Sequence, residues 1–488
     1  MKRVASFLIL SVMVVMLAGN VDAMTTFYVD PTYTGGSNDG SAAHPWLVLG
    51  SNAAQPGWVA INAGLVNDDV TVFFSARTVG QDVPEVQTTE LRVFRTDSST
   101  HRLTLNGMAK WNTCDTLGAW LDYQGLSQFK IAKSSVYNDL GWVDSDGRKD
   151  YITLTGFEVT GVGARTTFGG SHLVIEHLNI HDVTFIGPTV HTHPCMTLPP
   201  ACVSEGDMTD VIFQDNTITN GYGEGLYLNC NYQPGPGACP SYLTGPTHFI
   251  VQRNVITNAG HNGGQGDGID IKVGMRDSII RDNVIVNSGG VGISYSGTYG
   301  TDPDGMVIER NMILNAAEDA IAIANVHGAM IRNNVLVGMS GRGVVLNAGS
   351  IAISQDAKIY NNTLYTANGG SSLYVAGANN TYIRNNILYT NKVTLAQAGG
   401  VTGTDSGYNL LKAANSKSAN WHVELNDLYV ADPAAVLTSP STGDVSLLAG
   451  SPAIDAGFTI DACGALDILQ TLRPQGLAWD IGAYEKVQ

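Results

Sequence analysis

Between residues 266 and 272 the chain places Asp267, Asp270 and Lys272 on one short segment, in a sequence of which only 14% is charged. Carboxylates and an amine at this spacing can move protons: one group takes a proton, another delivers one, and a cationic side chain steadies the negative charge that develops. With a further carboxylate such as Glu224, Asp267 and Asp270 could instead surround a hard cation, and Ca²⁺ is the one an exported protein would meet. Alternation of apolar with charged residues in Ile269-Asp270-Ile271-Lys272 has period 2, the mark of a strand with one buried and one outward face. Asp270 and Lys272 are therefore expected on the outward face.

The elements that must position these groups repeat. Asn recurs at 216, 254, 283, 311, 334, 362 and 386, at intervals of 38, 29, 28, 23, 28 and 24 residues, each time after a short Ile/Val segment such as Ile-Ile-Arg-Asp-Asn283. Asn tolerates the left-handed backbone of a sharp corner, and stacked amides can bond along the axis of a stack. A second recurring unit is Gly-x-Gly before alternating apolar residues, at Gly223 to Leu228 and Gly266 to Ile271, with Arg342 to Leu346 as a related copy. Strand, corner, strand and turn every 23 to 29 residues reads as an all-β solenoid, a single-stranded right-handed parallel β-helix. A leucine-rich repeat would show a fixed Leu lattice, whereas these coils interchange Ile, Val and Leu. No run of helical period competes with the strands.

Taken in order, Lys2 and Arg3 precede an apolar run over residues 4–19, and Val21-Asp22-Ala23 offers a signal-peptidase site, so residues 1–23 read as a signal peptide. The protein is expected to be secreted, extracellular or periplasmic, with no later apolar run of about 18 residues to span a membrane. Residues 24–150 read as an N-terminal cap with irregular early coils, 151–400 as regular coils, and 401–488 as last coils and C-terminal cap. Both ends are expected to hide open coil edges, which are exposed sheet edges. A net charge of −17 argues against nucleic acid, and against attracting an acidic polymer without a local basic group or bridging cation. The chain is expected to act as a monomer.

Long intervals before Asn216 and Asn254 hold insertions at 192–207 and 229–246, both after the strand equivalent to 269–271. Insertions at one turn of successive coils stack into a wall, and a wall beside an outward strand face makes a groove. Cys195 with Cys202, and Cys230 with Cys239, lie close within these loops and read as disulfides in an exported chain, with a Cys/His metal site using His191 and His193 as the alternative. Cys114 and Cys463 are expected at opposite ends of the solenoid, unpaired unless the tail folds back. Down successive coils one outward column reads Glu224, Asp267, Val291, Asp319 and Arg342. The next reads Tyr227, Asp270, Ser294 and Ala322, and a third Asn229, Lys272 and Ser296. Coils are about 4.8 Å apart, which puts Glu224 and Asp267 within contact range. Tyr227, Tyr232 and Tyr295 are the rings on which sugars would stack, and Glu224, Arg276 and Asp319 complete the expected substrate-binding set.

Stretches at both ends and in the charged coil carry a resemblance. The opening Tyr-Val-Asp-Pro, Gly-Gly-Ser-Asn-Asp-Gly-Ser and His-Pro-Trp46, and the closing Ser-Pro-Ala-Ile-Asp455-Ala-Gly with Trp479-Asp-Ile-Gly-Ala-Tyr-Glu485, are similar to the ends of secreted bacterial β-helix proteins of the pectate-lyase-like superfamily. Asp267-Gly-Ile-Asp-Ile-Lys272 resembles the strand bearing a calcium-binding Asp in family-9 pectate lyases. Ile271-Lys272 with Ile280-Arg-Asp-Asn283 resembles the catalytic-lysine coil of chondroitinase B and related alginate lyases. The pectate-lyase Asp-Asp-Gly-x-Asp cluster is replaced here by Gly289 to Ser294. The resemblance implies a polysaccharide lyase cleaving a uronic-acid glycan by β-elimination, with Lys272, Asp270 and Asp267 catalytic and Ca²⁺ on Asp267, Asp270 and Glu224. Two other readings stand beside it: a glycoside hydrolase using Glu224, Asp267 and Asp319, and a non-catalytic glycan-binding or surface solenoid.

Overall fold

The computed structural model describes residues 25–487, apart from 76–90, 96–99, 112–119, 123–128, 133–148, 162–166, 184–188, 191–208, 229–246, 298–303, 348–353, 413–416, 419–425, 461–465 and a few shorter stretches. The signal peptide over 1–23, all six cysteines, His191, His193, Tyr232 and the two insertions lie outside the described residues.

Strands of two to six residues alternate with corners, and each coil strand pairs in parallel with its equivalent one turn away. One turn runs through Ile279–Arg281, Val284–Val286 and Ile293–Ser296, and the next through Val307–Glu309, Met312–Leu314 and Ile321–Ala324. Stacking of such turns yields three long sheets of 13, 12 and 9 strands whose order follows the chain, a parallel β-helix. A right-handed path is the one that strand twist imposes on successive parallel strands. Ile280, Ile285, Ile293 and their equivalents point inward at full burial, each contributing roughly 1.5–3 kcal/mol relative to exposure.

The Asn ladder sits at the corner between the first and second sheets. Asn254 donates its backbone N–H and its Nδ2 to Asn283 Oδ1 at 3.0 and 2.9 Å, and Nδ2 also reaches Phe213 O at 3.0 Å. Leu178 occupies the rung before Asn216, and the ladder continues past Asn386 to Asn409. The left-handed residue is the one before each ladder Asn, at Asp215, Arg253, Asp282 and Arg310, so the amide's work is the stacking and not the corner's backbone. A second, more exposed file links Asp182, Asn220, Asn258, Asn287 and Asn315 side chain to side chain after the second-sheet strand.

Two features depart from the sequence reading. An α-helix at Pro56–Leu65 caps the N-terminal end, opened by Pro56 and burying Trp58, Ile61 and Leu65 at helical spacing. The C-terminal segment does not merely close the last coil. It folds back along the ladder corner, where Asn385 brackets Phe458, Asn361 donates to Asp480 O and Arg473 reaches Asn333, and it covers Val335, Val337, Ile387 and Tyr389 of the second sheet.

Candidate functional site

The third sheet, with Leu226–Leu228, Ile269–Ile271 and Ile293–Ser296 on successive turns, carries the charged cluster. Its entry explains the Gly-x-Gly unit. At Gly225, Gly268, Gly292 and Gly343 a Cβ would lie 2.1–2.5 Å from a methyl of Ile256, Ile285, Ile313 or Leu364, so the chain enters the strand pressed against the second sheet. The residue before each of these glycines is Glu224, Asp267, Val291 or Arg342. Backbone bonds from Gly225 to Asp267, from Gly268 to Val291 and from Gly292 to Asp319 set them in the column read from the sequence.

Two residues on, Tyr227, Asp270, Ser294 and Ala322 pair directly across the coils. Asp270 points outward and yet is 1% exposed. Its carboxylate faces the Lys272 ammonium and takes a hydrogen bond from Ser294. Lys272 Nζ lies over the Tyr227 ring, 5.2 Å from the centroid, a cation–π contact that shields one side of the ion pair. Burial raises the Asp270 carboxyl against the lowering effect of Lys272 and Ser294. Burial also raises Glu224, 2% exposed, with the Asp270 charge adding and Lys272 opposing. Asp267 is pushed up to about 7, first by burial and then by Asp270, although Val291 N–H donates to its Oδ1 at 2.8 Å. The cluster is thus one buried ion pair beside two carboxyl groups that hold protons more strongly than a surface acid, the kind of environment found at proton-transfer sites.

Glu224, Tyr227, Asp267, Asp270 and Lys272 are brought together. Tyr295 is not a groove residue: it pairs with Ile271 and Ile323 on the inward face, is 1% exposed and donates its hydroxyl to Met275 O at 2.8 Å. Period-2 parity forces this, because Tyr295 is one step from outward Ser294. Arg276 belongs to another face, bridged to Thr247 at the start of a first-sheet strand, and its charge acts with those of Asp277 and Asp304 on the Tyr295 hydroxyl. Asp319 lies two turns from Asp267, about 10 Å along the axis, and its carboxylate is taken up by Arg342, through the backbone N–H at 2.6 Å and Nη2 at 2.9 Å. The carboxylates do not fit a calcium site as drawn from the sequence. Asp267 is engaged by Val291 N–H and Asp270 by Lys272, and among the described residues no three His, Cys, Asp or Glu side chains are grouped to hold an ion. Ser294 and Val291 were visible as column members, but their effects on Asp270 and Asp267 required the cross-coil register.

Residues 204–369, which include this cluster, match the sequence profile of a family described as NosD, periplasmic copper-binding protein. No curated protein sequence matches the chain. Among solved structures it is similar to the pectate lyase Pel9A, at 14% identity over 96% of this chain and 98% of that one with a TM-score of 0.42. It is also similar to the A-module of the mannuronan C-5 epimerase AlgE6 from Azotobacter vinelandii, at 13% identity over 76% and 93% of the two chains with a TM-score of 0.45. A third is XylC in complex with xylose, at 11% identity over 94% and 98% with a TM-score of 0.47. Among the described residues no helix is long and apolar enough to cross a membrane. With its three parallel sheets wound turn upon turn, the chain is a parallel β-helix.

Proposed function

We propose that this chain is an exported polysaccharide-active protein that cleaves a uronic-acid-containing glycan by β-elimination at the charged coil of its third sheet. The observation that supports this most is the buried Asp270–Lys272 pair beside Asp267, a carboxyl that titrates near neutral pH. β-Elimination needs a cation to offset the substrate carboxylate, a base for the C5 proton and an acid for the leaving oxygen. Lys272 supplies the cation, held in place by Asp270 and the Tyr227 ring. Asp267 takes the C5 proton, the C4=C5 double bond forms, the C4–O4 bond breaks, and Glu224, a carboxyl raised by burial, protonates the departing oxygen.

A second reading rests on the same column. Glu224 and Asp267 stand one turn apart, about 4.8 Å of rise, near the roughly 5 Å carboxyl separation of retaining glycoside hydrolases. Product chemistry separates the two. On oligogalacturonate, oligomannuronate and oligoglucuronate, the lyase gives new ultraviolet absorbance from an unsaturated uronate at each cut, while the hydrolase gives new reducing ends without it. Neither product across that panel and a neutral panel would leave a glycan-binding solenoid. The lyase reading expects full activity in excess chelator and its loss in Lys272→Ala; a chelator-sensitive wild type would return calcium to the site.

A further inference from the structure

Away from the charged coil, the outer face of the first sheet meets the folded-back C-terminal segment and leaves a pocket of about 410 Å³ lined by Asp356, Lys358, Tyr360, Asn380, Tyr382 and the stretch 458–460. We propose that this pocket is a separate, non-catalytic binding site for one or two rings of an anionic sugar. The proposal rests on the reading of the chain as glycan-active and adds a site on a different face, four turns along the chain from the charged coil.

The pocket offers two kinds of surface. Tyr382 and Phe458 are aromatic and partly open, Phe458 at 42% exposure, and the Arg384 guanidinium 4.6 Å from the Tyr382 ring centroid fixes that ring's orientation. The Phe458 backbone is pinned by Asn385, which bonds both its N–H and its carbonyl at 2.8 Å, and its ring rests against Tyr408 with centroids 5.3 Å apart. Rings held in place are suited to the C–H face of a pyranose, because little side-chain freedom is lost on stacking. Around them stand acceptors and donors for hydroxyl groups, the Asp356 carboxylate, the Asn380 amide and Thr459. At about 410 Å³ the space lies at the small end of the roughly 300–1,000 Å³ usual for ligand sites, which limits the occupant to one or two sugar rings.

The charge of the ligand follows from Lys358. On this face Arg310 and Arg332 share Glu309, and Arg384 pairs with Asp405. Lys358, exposed between Met330 and Tyr382 in the register, has no acidic partner among the described residues. The nearby Asp356 is engaged by His327 Nε2 at 2.9 Å. In a chain of net charge −17, an ammonium left unpaired in a pocket with aromatic walls selects a carboxylate or sulfate on the sugar.

Calorimetric titration of the full chain with hexamers of galacturonate and of mannuronate, and with cellohexaose, tests this. The expected result is two classes of site for an anionic hexamer: one lost in Lys272→Ala, the other weakened at least tenfold in Lys358→Ala and in Tyr382→Ala, with Lys358→Ala cleaving at the wild-type rate. Unchanged stoichiometry and affinity in both Lys358→Ala and Tyr382→Ala would overturn the site. Cellohexaose bound there as tightly as the uronates would overturn its anionic character. If no glycan is cleaved and Lys272→Ala binds like wild type, the lyase reading falls, and a loss confined to Lys358→Ala still establishes the pocket.

Discussion

Asp267 and Asp319 hold the same position on two turns of the third sheet and perform the same backbone task. Each presents Oδ1 to the N–H of its counterpart on the following turn, Val291 at 2.8 Å and Arg342 at 2.6 Å. Each lies over a glycine of that turn, Gly290 or Gly341, where a Cβ would fall 2.3 or 2.6 Å from the carboxylate oxygen. What differs is the side chain opposite. Arg342 returns its guanidinium to Asp319 and stacks on Tyr374, closing the charge, whereas Val291 offers Asp267 nothing. Asp319 is therefore a completed structural pair. Asp267 does the same structural work without a counter-ion in its column, and burial and then the Asp270 charge push its carboxyl up to about 7. One residue on the neighbouring turn separates scaffold from candidate chemistry.

The largest effect is expected from removing the group that sets the electrostatics of the Asp267 turn. Asp270→Ala leaves the Lys272 ammonium, 15% exposed, without its ion-pair partner. Breaking a buried pair from one side costs about 3–5 kcal/mol, so a large fall in the thermal midpoint is expected, together with loss of cleavage. A stable, active Asp270→Ala protein would mean that the pair holds nothing in place.

Next comes Asp267→Asn, which keeps an oxygen for Val291 N–H and removes only the titration. Cleavage is expected to fall by about 10²–10⁴-fold, the usual contribution of a general base. The pH dependence of stability carries an independent signature. Because the folded Asp267 carboxyl titrates above its ordinary value of 3.8, its contribution is fully present below about pH 4 and is lost as pH rises through about 7. Melting midpoints followed from pH 4 to 8 should therefore decline in the wild type more than in Asp267→Asn. Parallel curves would show that Asp267 is as ordinary as a surface acid.

Val291→Arg asks whether the column partner alone makes the difference. An arginine here copies the Asp319–Arg342 arrangement and should favour the Asp267 carboxylate, moving the acid limb of the pH–rate profile down by about one unit, the size expected for one nearby opposite charge. A limb that stays put would assign it to Glu224 or Asp270.

How much of this could be read from the chain alone follows from which interactions repeat. The ladder asparagines, the Gly-x-Gly entries and the period-2 strands recur many times, and each copy reinforces the register, so the β-helix and the column Glu224, Asp267, Val291, Asp319 were legible. So was the Asp270–Lys272 pairing, since i and i+2 share a strand face. Parity should also have excluded Tyr295, but a count of aromatic residues in one region carries no direction. Features that occur once lacked such reinforcement. The helix at Pro56–Leu65 had its signal in Trp58, Ile61 and Leu65 behind a proline, yet a single ten-residue pattern stood against a chain full of strands. The fold-back of the C-terminal segment depends on contacts of 73 to 140 residues' separation, such as Phe458 with Asn385 and Arg473 with Asn333, which leave no local trace. The near-complete burial of outward Asp270 was hidden for the same reason, because a strand pattern reports which face a residue takes and not what lies over it.

The smallest effect is expected on the scaffold side. Arg342→Val gives the Asp319 turn the side chain that the Asp267 turn already has. The pair removed is partly solvated, with the arginine side chain 33% exposed, so solvent screening holds its contribution to about 0–1 kcal/mol. Tyr374 loses the guanidinium above its ring, which adds about 0.5–1 kcal/mol at a partly exposed site. The backbone bond from residue 342 to Asp319 Oδ1 survives, because it does not depend on the side chain at 342. Cleavage should be unchanged in rate and in pH profile, with a melting midpoint within a few degrees of wild type. A loss of activity matching that of Asp267→Asn would place Asp319 in the chemistry, extend the site across two turns and favour the hydrolase reading, in which carboxylates about 10 Å apart work through an intervening water.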